Sequence, residues 1–141
     1  MTFSHPELGE FRAGSDPDTT VEREWTWCDK PIRLVLSKDG GSFEEAAVHA
    51  LELKAKERLW NAEFTDRIHA ELFDTWNDVW RQDDPEMGKA EWLGRMTMES
   101  LDVTAEGFFT AYYRDGDLFW GHWIEVFGKT DEGAKHASMM G

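Results

Sequence analysis

His122 is the residue whose type and setting most invite chemistry. It lies in Arg114-Asp115-Gly116-Asp117-Leu118-Phe119-Trp120-Gly121-His122-Trp123-Ile124-Glu125-Val126. An imidazole titrates near neutrality, so it can serve as general base, general acid or metal ligand. Two readings stand: a functional imidazole, or a buried neutral ring hydrogen-bonded to backbone or a carboxylate. Asp115 and Asp117 read as turn formers rather than partners of His122, because the rise along a strand separates them from it. The catalytic assignment is therefore His122 only if the protein is an enzyme, and the reading leans against one.

Other candidate chemistry is sparse. There is no glycine-rich phosphate loop, no Cys-x-x-Cys and no His-Glu-x-x-His. His5, His49, His69 and His136 are scattered without ligand spacing, so no metal and no cofactor is expected. His49 and His69 stand beside acidic residues and read as surface groups. Ser100 and Ser138 lack a nucleophile-elbow context. Cys28, the single cysteine, reads as a partly buried inert thiol, and alone it can form no intrachain disulfide. With 29 acidic residues, chance carboxylate pairs carry no weight.

The elements that must position His122 follow from the turn before it. Asp115-Gly116 suits a two-residue hairpin turn, whose central positions need positive φ. Counting outward pairs Arg114 with Asp117, Tyr113 with Leu118, Ala111 with Trp120 and Phe109 with His122, a face that also holds Ile124 and Val126. The other face pairs Tyr112 with Phe119, Thr110 with Gly121 and Phe108 with Trp123. A sheet wet on one side does not need two apolar faces, so the second is either covered or open to a partner. Phe108, Tyr112, Phe119 and Trp123 are accordingly the candidate binding residues. Gly121 in a strand interior predicts a ring packed closely over its backbone.

A single domain over residues 1–141 is expected. Residues 1–20 read as partly irregular, with a brief edge strand at Leu8 to Phe11. Residues 22–37 alternate with period two and read as a hairpin, Pro31 opening its second strand. Ser42 to Glu45 matches a capping box, and neither Gly nor Pro occurs from Ser42 to Asp84. Val48, Leu51, Ala55, Leu59 and Ala62 form one stripe; Phe64, Ile68, Leu72, Trp76, Val79 and Trp80 form another. Residues 42–82 thus predict a helical pair, broken near Trp60 to Glu63, with a short third helix at Lys89 to Arg95. Residues 97–140 read as antiparallel strands. The expected fold is α+β: a mostly antiparallel sheet with an antiparallel helical pair packed on one face.

Charge and aromatic content narrow the function classes. The formal charge is −14, which repels nucleic acid phosphates and anionic membranes and favours basic partners. Neither direct nucleic acid binding nor membrane association is expected. The start, Met1 to Glu7, has no basic cluster and no apolar run, so a cytoplasmic protein is expected. The 8 Trp mostly follow core stripes; any ring left outside would mark a binding surface. These features favour a small acidic protein-binding module, an immunity- or antitoxin-like inhibitor of a basic partner. The alternative is an enzyme or small-ligand-binding domain using His122 in an aromatic pocket.

The chain resembles an uncharacterised bacterial domain-of-unknown-function family. Its pattern begins with Leu8, Gly9 and Phe11 and continues through Trp25, Ile32, Leu34 and Leu36. Asn77 and Trp80 follow, then Met98, Glu99 and Ser100. It ends on Asp115, Gly116, Asp117, Phe119, Gly121, His122, Ile124 and Val126, with Gly141 last. Trp123 departs from it, standing where a small polar residue is more usual. The resemblance implies a fold and no activity.

Overall fold

The computed structural model describes residues 2–140; Gly141, the last residue of the resemblance, lies outside them. Eight strands form one sheet in sequence order: β1 (Phe3–His5), β2 (Gly9–Ala13), β3 (Thr20–Trp27), β4 (Lys30–Ser37), β5 (Thr97–Thr104), β6 (Phe108–Arg114), β7 (Trp123–Lys129) and β8 (Gly133–Met140). Between β4 and β5 run α1 (Phe43–Ala55), α2 (Glu57–Thr75), a single π-helical turn (Trp76–Trp80) and α3 (Lys89–Gly94).

The expected fold class is overturned. The sheet is mostly antiparallel but mixed, because β4 and β5 pair in parallel, Leu34 beside Leu101 and Leu36 beside Val103. Nor do the helices form an antiparallel pair. Only Lys56 separates α1 from α2, and helices that double back need a connection of about 2–5 residues. Instead the chain bends at Lys56 (φ −128°, ψ 40°) and continues along the sheet. α1 packs on β4 and β5, α2 on β7 and β8. The break therefore falls before the expected Trp60 to Glu63, and the tip of the β3–β4 hairpin docks on it. Cys28 donates its backbone N–H to Glu57 (3.0 Å), and Arg58 pairs with Asp29 at 2.7 Å.

The bend also moves the buried stripe of α1. Val48 and Leu59 are exposed, while Phe43, Ala46, Ala47, Ala50 and Leu53 face the sheet. Three alanines on that face let the helix backbone come close to β4 and β5. Further along, Phe64, Ile68, Leu72 and Trp76 are buried as their spacing predicts, whereas Val79 is exposed. Ser42 caps α1 by accepting from the Glu45 N–H at 3.2 Å; the Glu45 carboxylate takes the Ser42 hydroxyl at 3.1 Å.

Strand alternation sorts the sheet into two faces. Ile32, Leu34, Leu36, Leu101, Val103, Phe109, Ala111, Tyr113, Ile124 and Val126 join the helices in one core. A shift in pairing register between Met98 and Ser100 puts both Met98 and Leu101 in that core and leaves Ser100 and Asp102 on the other face. Asn61 ties core to helix: it accepts from the Trp27 indole (3.2 Å) and the Tyr113 hydroxyl (3.3 Å).

At the β8 edge, two α2 carboxylates take backbone donors that no further strand would satisfy. Ala134 donates to Glu63 at 2.5 Å, and Ala137 donates to Glu71. An unpaired strand edge invites pairing with other chains, and a helix laid along it removes that option. Glu71→Ala should cost about 1–2 kcal/mol, since it orphans a partly buried N–H. Denaturant unfolding, with hydrogen exchange at Ala137, measures it; unchanged stability and protection would show that Glu71 is not the acceptor.

Candidate functional site

The β6–β7 connection differs from the expected two-residue hairpin. Arg114 pairs with Trp123, not Asp117, so residues 115–122 form a longer loop. The cause is the Asp115 carboxylate, which is buried. Its Oδ1 accepts from the Asp117 N–H (2.9 Å), and its Oδ2 accepts from Phe119, Gly121 and His122 (2.9, 3.0 and 3.1 Å). Four backbone donors on one carboxylate outweigh the single bond of a tight turn. The longer loop also buries Leu118 and Phe119. Asp115 does reach His122, through its backbone.

This geometry relocates the predicted residues. His122 sits in the loop rather than on an apolar strand face, half-buried, with Nδ1 2.5 Å from the Phe119 carbonyl. Its ring lies 5.3 Å from that of Trp80, which the π-helical turn presents to the loop. That turn is closed by Arg81 donating to Trp76 O at 2.7 Å, and Asn77 bonds back to Phe73 O at 3.3 Å. No ring covers Gly121; nothing lies within 4 Å of where its side chain would be. Glycine serves there because φ is +91°.

Of the four candidate binding residues, Phe108, Tyr112 and Trp123 share the helix-free face, and Phe119 does not. Phe119 is 0% exposed, packed against Trp80 and Trp92. On the helix-free face Phe108 stacks on Phe127 (5.9 Å), Arg114 lies 5.2 Å from the Trp123 ring, and Trp123, Phe127 and Met140 are exposed among the described residues. A depression of about 600 Å³ opens there, with Glu22, Arg33, Ser100, Asp102 and Tyr112 among its walls. A smaller one, about 300 Å³, adjoins it around His122 and shares Arg114 and Trp123.

Asp102 is the electrostatic outlier. Burial pushes its carboxyl up to about 6; Arg33 opposes that rise and Glu22 adds to it. Burial likewise raises the Tyr112 phenol, with Asp102 and Glu125 contributing. The alternation of β5 places Asp102 opposite Leu101 and Val103, as found, but not beside Arg33 and Glu22, which long-range pairing brings to it. Other side chains offer less. Burial raises the Cys28 thiol, which keeps it protonated and unreactive. His49 and His69 are half-buried rather than surface groups, His49 beside Thr130 Oγ1 (3.1 Å) and His69 stacked on Phe73 (4.5 Å). Among the described residues no cluster of three or more His, Cys, Asp or Glu could hold a metal ion, and no helix is long and apolar enough to cross a membrane.

Two stability measurements test this reading. Asp115→Ala should cost about 3 kcal/mol, because it orphans several amides at once; a loss under about 1 kcal/mol would remove Asp115 as the organiser. For Asp102 the folded protein holds the proton more tightly than the unfolded chain. Its contribution is therefore best at low pH and is lost as pH rises from about 4 through about 6. Asp102→Asn should stabilise the protein by about 2 kcal/mol at pH 8 and by nothing at pH 3. A pH-independent difference would exclude a raised Asp102.

No curated protein matches the chain, and no solved structure matches it either. One family model does, over residues 5–139, nearly the whole of the sheet and all of the helices. The chain belongs to the bacterial family described as "Uncharacterized protein conserved in bacteria (DUF2262)".

Proposed function

We propose that this protein is a binding module that docks a basic protein partner on its helix-free sheet face and the adjoining 115–122 loop, in the manner of an immunity- or antitoxin-type inhibitor. The observation that carries the reading is Trp120. It is 60% exposed and holds φ +59°, a conformation costly for a bulky side chain. The Asp115 latch and the Trp80 ring, 4.7 Å away, hold it there. The Asp115 amide bonds that bury Phe119 also fix this conformation, and an exposed, immobilised indole is what a binding hot spot needs. Trp123 stands nearby at 39% exposure, giving a second anchor. The net charge of −14 favours a basic partner and speeds its approach.

A second reading uses His122. With Nδ1 held by Phe119 O, the imidazole borders the smaller depression beside Arg114, Asp117 and Trp123. A small-ligand site there would make His122→Gln abolish ligand binding without changing stability.

The test begins with affinity capture of the partner from the native bacterium. Association kinetics of the purified pair then decide. Trp120→Ala and Trp123→Ala should each weaken binding about tenfold or more. The association rate should fall steeply with salt. Trp120→Gly should raise stability by about 1 kcal/mol by relieving the backbone, while losing the same affinity. Salt-indifferent association, or tryptophan variants that bind normally, would overturn the reading.

A further inference from the structure

The larger depression on the helix-free face is lined by three carboxylates, Glu22, Glu99 and Asp102, and by two guanidinium groups, Arg33 and Arg114. Four of these five are engaged with one another. Arg33 Nε lies 3.8 Å from Glu22 Oε2, which Arg12 also approaches at 3.4 Å, and Arg114 donates to Glu99. Asp102 makes no side-chain hydrogen bond or ion pair with any described residue. Its pairing neighbours are Val35 on β4 and Thr110 on β6, which offer it no charge. One carboxylate is thus left over in a recess of about 600 Å³, a size typical of sites that admit a ligand group.

We propose that this recess receives one arginine side chain of the basic partner, its guanidinium paired with the Asp102 carboxylate and its stem lying along Val35 and the Tyr112 ring. The proposal rests on the protein-binding reading and names the chemistry recognised at its centre. Charge complementarity selects a cation, since the lining has one carboxylate more than it has guanidiniums. Arginine suits it better than lysine. A planar fork can meet a carboxylate with two parallel bonds and stack on an aromatic face, and it is less strongly hydrated than an ammonium. The wall of the recess already holds one guanidinium between a carboxylate and a ring: Arg114 donates through Nε to Glu99, with its guanidinium 5.2 Å from the Trp123 ring centroid.

The groups facing Asp102 from the neighbouring strands are Arg33 on β4, Glu22 on β3, Tyr112 on β6 and, beyond it, Glu125 on β7. Burial leaves the free carboxyl half-protonated near pH 6, so an arriving guanidinium must displace a proton below that pH. A stabilising Asp102→Asn substitution is then the signature of a group kept for binding at the expense of stability.

The experiment titrates the whole protein with three capped pentapeptides, glycine apart from a central arginine, lysine or citrulline, following backbone amide shifts by NMR. The arginine peptide should move Ser100, Asp102 and Tyr112 and bind more tightly than the lysine peptide. Citrulline, isosteric but uncharged, should not bind. Asp102→Asn should weaken the arginine peptide about tenfold or more, and wild-type affinity should fall about tenfold per pH unit below 6. Citrulline binding as well as arginine, shifts confined to other residues, no binding at all, or an Asp102→Asn protein that binds normally would each overturn the proposal. Free guanidinium ion matching the peptide would point to a small-ligand site instead. Partner capture lost on Trp120→Ala but kept in Asp102→Asn would leave the binding module standing without this pocket. Arginine-peptide binding through Asp102 in a protein whose partner ignores Trp120 would refute the tryptophan-anchored reading alone.

Discussion

The parallel pairing of β4 with β5 is the constraint from which the rest of the structure follows. Parallel neighbours cannot be joined by a tight turn, so the chain must leave the sheet and return across it. Every helix of the described chain lies in that one excursion, and the buried side chains of α1 and α2 meet the face that carries Leu34, Leu101, Phe109 and Val126. All remaining connections join antiparallel neighbours, and none of them carries a helix. The open face is a consequence of topology rather than of polarity. It carries Phe108, Tyr112, Trp123 and Phe127 beside its charged residues.

Asp115 acts as a second constraint, on a smaller scale. A buried carboxylate is costly unless its lone pairs are occupied, and here backbone amides occupy them. The same bonds force positive φ at Asp117, Trp120 and Gly121. Local strain, the burial of Phe119 and the display of Trp120 are then one event. The π-helical turn serves the same end from the other side, since its extra residue sets Trp80 against Phe119, Trp120 and His122.

Asp102 and Trp120 share a property that core residues lack: each is, taken by itself, in an unfavourable state. The first is a half-buried carboxylate with no side-chain hydrogen bond or ion pair among the described residues, the second a bulky residue in a glycine-like conformation. Strain and unpaired charge persist where something other than folding stability retains them. Asp102 borders the larger depression, and Arg114 and Trp123 border both depressions.

By itself, the sequence marked the order of most strands and helices but not all of their bounds. Period-two runs marked β3 and β4, Ser42 and Glu45 marked the start of α1, and Phe64, Ile68, Leu72 and Trp76 marked the buried side of α2. These signals are local, carried by side-chain period and by capping chemistry a few residues long. Only the tertiary structure decided how β4 meets β5, that α1 and α2 run on rather than fold back, and that Met98 joins Leu101 in the core instead of sharing the face of Ser100 and Asp102. Each depends on contacts between residues far apart in the chain, and a single-residue shift on β5 is enough to exchange faces. The stretch around His122 shows the boundary most sharply. Asp115-Gly116 has the composition of a two-residue turn, yet what a buried carboxylate gains by collecting amides as far away as His122 cannot be read from the pair that begins the loop.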